Sequence, residues 1–185
     1  MNAITQMKTK IALWMLSKLE SKQKRCFMNL SQIRSLHILY LIDKPLNIDA
    51  QKQYNDLYAI LDFCMAQKIK TEITLFVDKS LEEQKRFNIH ILTAKDFSKW
   101  TWKPLDATYA DFMELDCEVL LNLSPKTCYP LEYLAAMSNA KFKIANKREI
   151  QGAKYDFMIE MQGEQDTPKS MFDTVMFYLE KIQSK

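Results

Sequence analysis

Ile4, Met7, Ile11, Trp14 or Met15, and Leu19 recur at intervals of three and four with lysines mostly between them, which predicts an amphipathic helix from residue 3 to about 25. No proline or glycine interrupts it. Beyond Asn29 and Ser31 the helical spacing gives way to a compact run, Leu36-His37-Ile38-Leu39-Tyr40-Leu41-Ile42, closed by Asp43-Lys44-Pro45. A run without a polar side suits an interior strand of a parallel sheet, covered on both faces.

The alternation then repeats. Tyr54, Leu57, Ile60, Leu61 and Cys64 to Met65 give a second helix from Asn47 or Asp49 to Lys68, with Asp49 as its cap. Ile73 to Val77 is a strand that stops, like the first, at an Asp-Lys pair, here Asp78-Lys79. A shorter strand at Asn88 to Leu92 leads through Thr93 into a less regular stretch holding Trp100, Trp102 and Pro104, aromatic residues expected to anchor a loop. Cys117 to Leu123 is the next buried strand, and Pro130 opens a helix through Leu131, Tyr133, Leu134 and Met137. Lys141 to Ala145 and Tyr155 to Glu160 read as short strands, and Thr167-Pro168 opens a last helix that runs to Ile182. Strands separated by helices imply crossover connections. The expected fold is therefore a three-layer, Rossmann-like α/β domain with a mostly parallel sheet of about six strands and an extra helix at the amino terminus. Residues 1–30 form that basic helical segment and 31–185 a single domain.

Composition narrows the chemistry. Only two glycines, Gly152 and Gly163, occur in 185 residues, so the glycine-rich loops that cradle phosphates are largely excluded. Cys26, Cys64, Cys117 and Cys128 are irregularly spaced and only His37 and His90 accompany them, which gives no zinc-ligand pattern, and no metal or cofactor is expected. Both histidines fall inside strands and are expected to be packed and hydrogen-bonded. Cys128, just ahead of a predicted helix, is the one thiol to test for reactivity. No apolar stretch is long enough to span a membrane, and lysines break up the leading segment as a signal peptide, so a cytoplasmic protein is expected.

The net charge of +3 is unevenly spread. Residues 1–36 carry seven basic residues against Glu20 alone, leaving 19 basic and 22 acidic residues behind them. Two candidate surfaces follow. The first is the leading segment, whose Lys8, Lys10, Lys18, Lys22, Lys24 and Arg25 suit the phosphates of RNA, an acidic protein or an acidic membrane surface, while Trp14 and the methionines suit an interface. Alternatively its apolar stripe docks on the sheet or on a second copy of the chain, and the lysines stay in water. The second surface is the rim at the carboxyl ends of the strands, where open parallel sheets bind ligands. It carries Asp43, Lys44, Asp78, Lys79, Lys95, Asp96, Asn122 and Ser124, which suit a phosphate, a metal or a sugar but equally suit turn caps and solvated pairs.

Asp116 to Ser124, followed by Tyr129-Pro130-Leu131-Glu132-Tyr133-Leu134-Ala135-Ala136-Met137 and on to Ile144, resembles an uncharacterised bacterial family of unknown function. With the Leu36 to Asp43 and Tyr155 to Ile159 strands, that resemblance covers most of residues 35–182 and implies a fold without an activity. More distantly, the same block is similar to one half of heptosyltransferase-type glycosyltransferases, which comprise two Rossmann-like halves. Asp43-Lys44-Pro45 stands where those enzymes have a glycine-containing loop, and the chain holds one such half. The expected role is accordingly non-catalytic: binding or assembly with a protein or RNA partner, or with another copy, through the leading helix. The alternative is an enzyme or small-ligand binder that uses the rim.

Overall fold

The computed structural model describes residues 3–19, 24–42, 48–77, 88–147, 153–160 and 167–181. Six strands form one sheet: β1 (Ser35–Ile42), β2 (Lys70–Val77), β3 (Ile89–Thr93), β4 (Val119–Asn122), β5 (Phe142–Asn146) and β6 (Phe157–Ile159). Their order is β3-β2-β1-β4-β5-β6, and every neighbouring pair is parallel. β1 lies near the centre, paired with β2 from Ser35↔Lys70 to Ile42↔Val77 and with β4 from Leu36↔Val119 to Leu39↔Asn122.

Alternation along β1 divides the core. Leu36, Ile38, Tyr40 and Ile42 face a layer made by α2 (Ile48–Ala66) and α5 (Pro168–Lys181), where Leu57, Ile60, Phe172, Val175 and Leu179 are fully buried. Leu39 and Leu41 face the opposite layer, made by α1 (Ala3–Ser17), α3 (Asp106–Glu114) and α4 (Tyr129–Met137). Burial on both faces explains why β1 and β4 read as unbroken apolar runs.

Two expectations need correction. The leading helix ends at Ser17, not near residue 25. Residues 24–29 are irregular because the chain finds partners on the sheet: the Cys26 N–H donates to Lys141 O at 3.0 Å, and the Phe27 ring packs 4.8 Å from Phe142. Second, the stretch after Trp102 holds α3, a helix not anticipated because only Thr108 and Phe112 of its nine residues are buried. The sheet itself is as expected, six strands, with every neighbouring pair parallel.

Scarcity of glycine leaves a mark at the end of α2. The Ile69 N–H donates to Cys64 O at 2.9 Å and the Lys68 N–H to Met65 O at 3.0 Å, closing the helix through Lys68 at φ 60°. That left-handed position is ordinarily taken by glycine.

Candidate functional site

The strand order reverses between β1 and β4, which makes their carboxyl ends the natural crevice of a doubly wound sheet. Of the rim residues singled out above, Asp43, Lys44, Asp78 and Lys79 lie outside the described residues. Asp96 is a cap: its carboxylate accepts the Thr93 N–H at 2.6 Å and the Thr93 hydroxyl at 3.0 Å. Lys95 is exposed, and its backbone N–H donates to Thr93 Oγ1 at 3.3 Å. Asn122 is wholly buried and turned inward, its amide donating to Tyr155 Oη at 2.8 Å and to Glu132 Oε1 at 3.3 Å. Its Oδ1 accepts the N–H of the equally buried Ser124 at 3.1 Å.

Glu132 is the centre of this network. Its carboxylate is fully buried in α4 and also accepts the Tyr155 hydroxyl at 3.1 Å and the Ala153 N–H at 2.9 Å. A buried carboxylate is tolerable only with donors supplied this way. The sequence carries a signal for it: Tyr129-Pro130-Leu131-Glu132-Tyr133-Leu134-Ala135-Ala136-Met137 is apolar all round except at Glu132, and a helix apolar on every side is an interior one. The described rim residues are thus joined to one another or to their own loops. Among the described residues, no group of three or more His, Cys, Asp or Glu side chains is placed to hold a metal.

Ser124 Oγ, by contrast, is buried without a hydrogen-bond partner among the described residues, while several other polar side chains have one. His37 Nε2 lies 2.8 Å from Thr74 Oγ1 with its ring 5.0 Å from Phe112, and burial drives its pKa down to about 3, so the imidazole is neutral. His90 pairs with Glu72 at 3.1 Å. Lys143 is fully buried in β5, and its ammonium group donates to Ala135 O at 2.5 Å and Ala136 O at 3.4 Å in the last turn of α4. Burial, reinforced by Arg25 and opposed by Asp156, lowers its pKa to about 7. Cys128 is buried at the amino end of α4, and burial raises the thiol of Cys117 to about 12. At the opposite, amino-terminal end of the sheet two open grooves of about 420 and 500 Å³ flank Ile69.

The leading helix is built differently. Ala12 and Leu16 are buried against α4, where the Tyr133 hydroxyl donates to Ala12 O at 3.4 Å, and Met15 and Leu19 pack beside them. The predicted apolar stripe therefore divides. Ile4, Met7, Ile11 and Trp14, spaced three, four and three apart, all stand exposed, Trp14 at 59% and Ile4 at 55%. Lys8 reaches the loop after β3, donating to Lys99 O at 3.1 Å with its ammonium 5.0 Å from the Trp100 ring centroid. Lys18 lies 3.7 Å over Trp14, and Lys10 is exposed. Lys22 is outside the described residues, and Lys24, though exposed, is not on the helix. Arg25 is not on the helix either and is committed to Asp156 at 2.6 Å, whose carboxylate also takes the Lys143 N–H at 2.7 Å.

The loop aromatics split as well. Trp102, at φ 56°, stacks on Tyr129 at 4.8 Å and 5° and anchors the loop as expected, whereas Trp100 is 63% exposed.

Residues 8–182 match DUF6913, a family of unknown function. No curated protein and no solved structure matches the chain.

Proposed function

Since this chain belongs to the DUF6913 family, which brings no assigned activity, we propose that it is a non-catalytic binding module whose contact element is the leading helix presented on the α/β domain. The observation that carries this reading is the outer face of α1. The helix is anchored by Ala12 and Leu16, so its exposed row of Ile4, Met7, Ile11 and Trp14 is held in place rather than left over from poor packing. Contiguous exposed apolar surface on a folded domain marks an interaction site. The lysines beside it, Lys8, Lys10 and Lys18, favour an acidic partner, and a cytoplasmic setting suits the reading.

Among the described rim residues, Asp96 and Asn122 each have an internal use, as has Glu132 beside them. The likeness to glycosyltransferases extends only to the succession of strands and helices, and fold alone assigns no reaction.

Retention experiments separate these surfaces. The tagged full chain, incubated with native lysate, is expected to retain a partner that M7D/I11D loses and that D43N and D78N keep. Loss on D43N or D78N with retention by M7D/I11D would transfer the function to the rim.

A further inference from the structure

The outer face of α1 has a specific chemistry. At 100° per residue the exposed row lies roughly 140° around the helix from the docked residues Ala12 and Leu16. Lys8 borders the row on one side, Lys10 borders it on the other, and Lys18 follows Trp14 along it. No acidic residue occurs anywhere in α1. A second element stands beside this face. The loop between Phe97 and Pro104, paired as an isolated bridge, is closed by the Ser98 N–H donating to Lys103 O at 2.8 Å. At its tip Trp100 is 63% exposed between Lys99 and Lys103, and the contacts from Lys8 hold that tip against the helix.

Resting on the reading that α1 is the contact element, we propose that α1 and the Lys99–Lys103 loop together form a docking surface for an anionic lipid bilayer, on which the helix lies in the interface plane. Both parts of the chemistry are then used. Ile4, Met7, Ile11 and the two tryptophans enter the boundary between headgroups and acyl chains, Lys8 holds the loop to the helix, and Lys10 and Lys18 extend to anionic headgroups. RNA would neutralise the lysines but leave the aliphatic row in water. A second copy would cover the row but bring lysines against lysines, with no carboxylate on either helix to pair with them. The attachment is peripheral, since among the described residues no helix is long and apolar enough to cross a membrane.

The test is flotation of the full chain with vesicles of phosphatidylcholine alone or mixed in roughly equal parts with phosphatidylglycerol, with tryptophan emission read in parallel. The chain should float with the mixed vesicles, shift its emission to the blue, and be released by high salt. M7D/I11D, altered only at exposed positions, should lose about 100-fold in affinity, and K10E/K18E should lose the preference for the anionic vesicles. Failure of the parent chain to float at low salt, or flotation of M7D/I11D equal to it, overturns the lipid proposal. Salt-sensitive capture of an RNA homopolymer, abolished by K10E/K18E and unaffected by M7D/I11D, also overturns it and leaves the basic helix as contact element. If M7D/I11D and K10E/K18E both keep every interaction that the parent makes, the contact reading falls along with it.

Discussion

Lys143 shows how much a single buried residue can shape the behaviour of the whole chain. Its pKa falls from 10.5 to about 7 on folding because burial removes water from the ammonium group. Between those values the unfolded chain holds a proton that the folded chain has shed, so stability rises with pH across that window and is lost as pH falls toward 7. The slope attributable to Lys143 approaches about 1.4 kcal/mol per pH unit. Chemical denaturation of the parent and of K143M at pH 7, 8 and 9 checks this: the parent should gain on the variant with each step, and parallel curves would show that the side chain keeps its proton. Lys68 offers a simpler case. Replacing it with glycine relieves a side chain at φ 60° and should raise stability by about 1 kcal/mol, read as a higher denaturant midpoint with an unchanged slope. Neither residue was legible beforehand. A lysine after a helix resembles a solvated one, and Lys143 is buried only because α4 ends above it.

Elements with a strong periodic signal were legible and those held by a few contacts were not. The strands Leu36 to Ile42 and Ile73 to Val77 were visible because burial on both faces leaves neither side polar, His37 and Thr74 alone breaking the apolar runs, and they became β1 and β2. α3 was missed because most of its surface is in water, and the leading helix was drawn too long because residues after 24 find other partners just ahead of β5 and β6, the Cys26 N–H on Lys141 O and the Arg25 guanidinium on Asp156. The leading stripe was seen as one face, but the fold divides it between a docked side and an exposed side. That division has a measurable consequence. Leu16→Ala removes a side chain buried between α1 and α4 and should cost about 2–4 kcal/mol, whereas Ile11→Ala should stay within about 0.5 kcal/mol. Equal losses in thermal unfolding would mean that the outer row is also packed.

At the scale of the whole molecule, the parallel arrangement was implied by alternating strands and helices, since parallel neighbours need crossovers, but the order 3-2-1-4-5-6 was not, because pairing partners are not written in periodicity. Of the rim residues singled out from the sequence, the described Asp96 and Asn122 turn inward, as does Glu132, held by Thr93, Tyr155 and Ala153 from segments adjacent or distant in sequence. The proposed contact element is the other candidate, a helix fixed along one side by Ala12 and Leu16 with an exposed apolar row along the other. The most direct measurement is sedimentation velocity of the labelled full chain and of M7D/I11D in the same native lysate. The parent is expected to travel with a larger assembly, and the variant as a single 21.8 kDa chain with an unchanged melting temperature. Identical sedimentation of the two would contradict the assignment of α1 as the surface through which this protein works.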